Sequence, residues 1–187
     1  MGLLDRILEC DNAANIDGFL PFLCEKLRIG WVEPKFASAL ANYPEVFSFG
    51  PQGISIIPHL ADYNERTIAV DKVVRSLKSE GWFCDWRDER YPVGTGFNEK
   101  SFFEIERSAV TRFGIRSYGV HVNGFVRLVD GIHLWVGKRS EDKATYPGLL
   151  DNMVAGGQPV GISLIENVIK EAGEEASVPR AIAEKAI

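Results

Sequence analysis

Residues 118–136 read YGVHVNGFVRLVDGIHLWV. Three short apolar runs, 118–122, 125–129 and 132–136, are separated by Asn123-Gly124 and Asp130-Gly131. Such dipeptides supply the positive φ that tight hairpin turns demand, so the stretch predicts successive antiparallel strands. Upstream the pattern mixes helical and extended segments. The change of character sets a boundary near residue 116, with domains at 1–116 and 117–187, and the fold class is α+β.

The first segment reads as follows. A short amphipathic helix covers 3–9, and residues 22–32 are extended, interrupted at Gly30. Pro34 is suited to the first turn of a helix that ends near residue 41. The runs 46–49 and 54–57, separated by GPQG, predict a hairpin. Asn64 is placed to cap a helix through Lys78, with Ile68, Val70, Val73, Val74 and Leu77 approximating one apolar face. WFCDWRDERYPV (82–93) reads as strand or loop, because Pro92 disfavours helix at Tyr91. Ser101 and Glu104 form a capping-box pattern that predicts a helix to about residue 113.

Composition limits the functional classes. The chain has 187 residues, 45% hydrophobic, with a formal charge of −5, which is ordinary for a globular protein. No apolar run approaches the roughly 20 residues of a membrane span. The N-terminus lacks the apolar core of a secretion signal, and Arg6 stands where a myristoylation signal has Ser or Thr. Cys10, Cys24 and Cys84 match neither a metal-ligand spacing nor a disulfide framework, which suits the reducing cytoplasm. Mild acidity argues against general nucleic-acid binding. The expected partner is a small molecule, with neither nucleic acid nor membrane, and a homo-oligomer is compatible.

The chemistry concentrates in NVIKEAGEEA, residues 167–176. Ser163 and Glu166 form a second capping-box pattern, so a helix begins near residue 164 and Pro179 ends it. At about 100° per residue, Asn167, Glu171, Glu174 and Glu175 point into one sector. Leu164, Ile165, Val168 and Ala172 fall largely on the other side, toward a core. The like-charge pairs of Glu171 with Glu174 and Glu175 cost a few tenths of a kcal/mol each. Gly173 costs about 1 kcal/mol more than alanine, and late negative charge opposes the macrodipole. A divalent cation would turn the carboxylate repulsion into attraction. Taken alone, such a run marks a solvated face more often than a site.

The preceding glycines alter that balance. The segment 156–178 resembles the Nudix box, G-x5-E-x7-R-E-U-x-E-E-x-G-U with U a bulky apolar residue. Without gaps, Gly156 falls on the first glycine, Glu171 on the first core glutamate, Glu174 and Glu175 on the pair, and Val178 on the last apolar position. Ile162, Lys170, Ala172 and Ser177 depart from the pattern. Ile162 cannot pair with Lys170 as the family's glutamate and arginine do, so the loop must be held differently. The resemblance implies that Glu171, Glu174 and Glu175 bind Mg²⁺ or Mn²⁺, that Glu171 and Glu174 are catalytic, and that Gly156 and Gly157 form the loop. It assigns no substrate-contacting residue.

YGVHVNGFV, LWVGKRS, KATYPG (143–148), LLDNMVAGG and KEAGEEASVP occur in the order of the thiamin-pyrophosphokinase-associated Nudix subgroup. GWVEP, RTIAV and WRDERYPV in residues 1–116 look like that subgroup's N-terminal domain. The resemblance implies an N-terminal α+β domain followed by the first half of a Nudix α/β/α sandwich with a mixed sheet. It also implies diphosphatase activity on thiamin diphosphate or its oxidised derivatives. ADP-ribose or NADH hydrolysis is an alternative enzymatic reading, and a catalytically inactive Nudix-like binding or interaction protein is the non-enzymatic one. Since family strands that follow the box helix have no counterpart before Ile187, a fragment or truncated product is expected.

Other side chains have a functional and a blander reading, and the blander one is favoured or equal. His121 either lines a substrate site or is an alternating strand position, and Lys138 and Arg139 either meet phosphate or are solvated strand-end charges. Trp82, Trp86 and Trp135 could stack on an aromatic ring but are expected in packing. His59 and His133 lack partners at metal spacing, and Cys84 is expected as a small apolar residue rather than a nucleophile.

Overall fold

The computed structural model describes residues 2–9, 16–142 and 146–186. Cys10 and the 143–145 part of KATYPG lie outside the described residues. The chain forms two units, Met1–Arg116 and Ser117–Ile187. Its class is mixed α+β, as the sequence indicates.

In the first unit, helix α1 (Leu3–Glu9) precedes strands β1 (Leu20–Cys24) and β2 (Leu27–Val32). Helix α2 (Pro34–Leu40) begins on its proline, and strands β3 (Phe47–Gly50) and β4 (Gly53–Ile56) follow. Their sheet runs β2-β1-β4-β3, with β1 and β4 parallel and the other pairs antiparallel. The GPQG hairpin forms with Gly50 opposite Gly53. Gly53 is required twice over: its φ is 121° and a Cβ there would collide with the Pro21 carbonyl oxygen.

Helix α3 (Tyr63–Ser79) is capped by Asp62 rather than Asn64. The Asp62 carboxylate accepts from Glu65 N at 2.8 Å, and Glu65 accepts from Asp62 N at 3.4 Å. This reciprocal box satisfies donors that an Asn64 start would leave open. Val70, Val73, Val74 and Leu77 are buried as the apolar pattern requires, whereas Ile68 is exposed.

The helix predicted from Ser101 is instead strand β6 (Ser101–Glu106), antiparallel to β5 (Arg90–Gly94). Phe102, Phe103 and Ile105 are buried along it, and aromatic and β-branched residues favour a packed pleated surface. Glu104 does not close a capping box. Its carboxylate accepts from the Tyr63 hydroxyl at 2.7 Å, and its N–H donates to Thr67 Oγ1 at 3.0 Å. A 3-10 turn, Arg107–Ala109, follows.

An aromatic cluster holds this unit together. Phe113 lies 5.3 Å from Phe22 and 5.0 Å from Phe36, ring centre to ring centre, and all three are fully buried. Trp82 packs on Phe36 at 5.3 Å.

The second unit contains β7 (Gly119–Val122), β8 (Phe125–Leu128), β9 (Gly131–Leu134), β10 (Val136–Lys138), β11 (Leu150–Asn152) and β12 (Val154–Gly157). Helices α4 (Leu164–Ala176) and α5 (Arg180–Ala183) follow. β8 and β9 form an antiparallel hairpin with Leu128 opposite Gly131. Asn123-Gly124 does not join β7 to β8 in a ladder, because β7 pairs with β12. Gly124 instead lets Met153 approach so closely that a Cβ would collide with its sulfur. Phe125, Leu128, Ile132, Leu134 and Trp135 are exposed, so packing does not employ Trp135 as expected.

Replacing Phe113 with alanine removes the ring shared by Phe22 and Phe36. Loss of stability of the first unit by about 3–5 kcal/mol is expected, measured by urea unfolding.

Candidate functional site

α4 starts at Ser163, whose side chain accepts from Glu166 N at 3.2 Å. It ends at Ser177, a residue with φ of 52°. The helix lies on β12 and β7, and its buried face combines Ala172, as the apolar pattern predicts, with two polar residues that the pattern does not. Asn167, Glu171 and Ala172 are buried, while Leu164 and Ile165 are exposed. The reason is the glycine-rich strand. With no side chain at Gly156, the Glu171 carboxyl occupies the place a Cβ would take.

The three glutamates differ in environment. Glu171 is 8% exposed, and its Oε1 accepts from Lys170 Nζ at 3.2 Å. Glu175 reaches β12 from the solvent side, where Oε2 accepts from Ala155 N at 3.0 Å. Glu174 is exposed and bonds neither strand among the described residues. The strand thus gathers Glu171 and Glu175, but Glu174 is not brought to the same point. Among the described residues, no three His, Cys, Asp or Glu side chains are close enough together to hold a metal ion.

The donor chemistry nonetheless fits a hard divalent cation, which takes carboxylate oxygens. Among the described residues Glu175 Oε1 takes no hydrogen bond, and the cation at Glu171 is a lysine ammonium, which has neither the planar fork nor the fixed geometry of arginine.

The loop 157–163 is held by two amides. Asn167 is fully buried, and Nδ2 donates to Gly157 O at 2.9 Å and Gln158 Oε1 at 3.1 Å. Gln158 Nε2 then donates to Ile162 O at 2.8 Å. This chain of bonds spans the place where Ile162 and Lys170 cannot pair. Sequence reasoning set Asn167 among the acidic sector and did not see this role. The available signal was Ile162 itself, whose apolar side chain required another anchor nearby.

The other face of α4 borders a groove of about 720 Å³ lined by Leu164, Ile165, Val168, Met153 and Ile182, with no carboxylate in its lining. His121, exposed, meets Asn152 Nδ2 through Nδ1 at 2.6 Å. Lys138 pairs with Glu141 at 3.2 Å and Arg139 with Asp151 at 2.6 Å. His133 meets Asp130 at 2.9 Å. Cys84 is exposed rather than used as a small apolar filler. Among the described residues no helix is long and apolar enough to cross a membrane.

These features define an α+β protein with an acidic helix seated on a glycine strand. The chain belongs to the family described as Domain of unknown function (DUF4743), whose pattern matches residues 2–117. Its whole length is also similar to two Arabidopsis thaliana proteins, Nudix hydrolase 24, chloroplastic (40% identical) and Nudix hydrolase 20, chloroplastic (39% identical). It covers 52% of each. An uncharacterized protein of Saccharomyces cerevisiae is 34% identical over 97% of this chain and 57% of its own length. The chain therefore spans about half the length of the curated relatives it matches.

The contact between Gly156 and Glu171 predicts a non-additive pair of substitutions. Gly156→Ala should destabilise the second unit by about 1–3 kcal/mol through overpacking. In the Glu171→Ala background the same change should be nearly neutral, because the obstructing carboxyl is gone. Urea unfolding of the four proteins measures the coupling, and strictly additive effects would contradict the contact.

Proposed function

We propose that residues 117–187 are part of a Nudix hydrolase domain, and that the protein acts as a Mg²⁺- or Mn²⁺-dependent diphosphatase on a small molecule. The observation carrying this reading is the seat of Glu171 on Gly156, beside Glu175 on Ala155. Carboxylates and glycine strand meet at the spacing of the box, and the names of two relatives support the same class.

Glu171, Glu174 and Glu175 would hold the divalent ion, which supplies charge to a phosphoryl oxygen and acidity to a bound water. The chain's own contribution is positional. β12 fixes Glu171 and Glu175, and Asn167 with Gln158 keeps the 157–163 loop in register with α4. Glu171 and Glu174 are the assigned catalytic carboxylates, since a carboxylate can accept a proton from the attacking water. Attack at phosphorus breaks the bridging P–O bond and gives monophosphates. Thiamin diphosphate or its oxidised derivatives are the substrates this reading favours, ahead of ADP-ribose or NADH.

The setting in this proposal is cytoplasmic and reducing, which suits the free thiols of Cys24 and Cys84. The exposed apolar residues of β8 and β9 offer a surface on which a second copy would form a homo-oligomer.

A second reading, a non-catalytic binding protein, is favoured by Lys170 on Glu171 and by the separation of Glu174 from the other carboxylates. Mg²⁺-dependent turnover of oxidised thiamin diphosphate, ADP-ribose and NADH decides between them. The Glu174→Gln/Glu175→Gln variant is expected to lose activity by roughly 100-fold or more. Unchanged turnover in that variant removes the metal assignment, and a folded chain inert toward all three substrates supports the binding protein.

A further inference from the structure

Arg66 lies in the second turn of α3 and is only 6% exposed. Its Nε donates to Leu60 O at 2.8 Å and its Nη2 to Ala61 O at 2.9 Å. Nη2 also pairs with Glu25 Oε1 at 2.8 Å. Nη1 bonds no protein group among the described residues. The side chain forms part of the wall of a cavity of about 400 Å³, bounded by the β1–β2 turn, the β3–β4 hairpin and residues 57–60. That volume is in the range of small-molecule sites, which are mostly apolar with a few convergent polar groups.

The polar part of this wall is rich in donors. Lys26, Gln52 and Ser55 line the cavity beside Arg66, and their side chains also bond no protein group among the described residues. Glu25 is the one carboxylate in the lining. It is already shared between Arg66 and Lys100, the latter 3.4 Å from both of its oxygens. The Arg66 hydrogen bond holds the Glu25 carboxyl below its ordinary pKa range. Burial pushes the neighbouring Cys24 thiol up to about 11, so it adds no negative charge at neutral pH. Leu23, Ile56 and Pro58 supply apolar surface.

An independent feature marks the same place. The two central residues of the β1–β2 turn, Glu25 and Lys26, have φ of 51° and 68°. Such turns favour Asn and Gly. Non-glycine residues in this conformation persist where their surroundings over-determine them, and they cluster at ligand clamps.

We propose that this cavity binds a small organic oxyanion, a carboxylate or phosphate monoester on an apolar body, with Arg66 Nη1 as its central donor and Lys26, Gln52 and Ser55 around it. A guanidinium suits either oxyanion, since both match its planar set of N–H donors. The site belongs to the first unit and is independent of any diphosphatase activity.

The test is an amide ¹H–¹⁵N titration of the 187-residue chain with phenyl phosphate and with phenylacetate, using benzyl alcohol as the neutral control. Saturable shifts at residues 24–26 and 52–56 are expected with one or both anions and not with the alcohol. The anion that saturates identifies the headgroup. Ser55→Asp sets a like charge in the cavity and should weaken that binding about tenfold or more. Lys26→Glu, on the exposed turn, should act in the same direction if the first variant does not fold. The proposal is overturned if neither anion saturates up to about 10 mM, if the alcohol gives the same shifts, or if the folded variants bind as the parent does.

Discussion

The second unit depends on a carboxyl group lying where a side chain would otherwise be. Glu171 can be buried because Gly156 has no Cβ, and α4 approaches β12 at the distance this permits. Burying a carboxyl group requires a polar partner, and Lys170 Nζ lies 3.2 Å from it. Asn167, one turn earlier, is buried in the same face and uses its amide on Gly157 and Gln158. Leu164 and Ile165, in the first turn of α4, stay exposed.

The first unit obeys a different constraint, the close approach of main chains. A Cβ at Gly30 would collide with Phe113 O, and one at Gly114 with Trp31 O. Backbone therefore packs against backbone where β2 meets the segment after the 3-10 turn. That approach seats Phe113 among Phe22, Phe36 and Phe47. Dispersion and burial then supply the stability that local propensity does not.

Sequence periodicity reveals elements whose stability is local. Pro34 at the start of α2, the GPQG hairpin and the buried valines of α3 are of that kind, and they form as read. It fails where tertiary partners decide. Ser101 and Glu104 carry the letters of a helix cap, yet Tyr63 and Thr67, far away in sequence, claim Glu104 for a strand. Asn123-Gly124 carries the letters of a hairpin, yet β12 takes β7 as its partner. In α4, helical spacing placed Ala172 on the core side, where it is buried, but it did not show that Asn167 and Glu171 would be buried beside it. The absent side chain of Gly156 leaves room for Glu171, and that effect depends on a strand packed across from the helix. The loop anchor was hidden for the same reason, since an asparagine in a helix does not announce which carbonyl it will meet.

The turn at Glu25 and Lys26 has an energetic meaning as well as a geometric one. Left-handed backbone costs an ordinary residue about 1–2 kcal/mol relative to its preferred regions. Glycine or asparagine at either position would ease that burden, so a simple route to a more robust protein lies open there. A chain selected for durability alone would be expected to take it. With a carboxylate and an ammonium at the tip instead, the turn carries charge at the expense of local backbone ease.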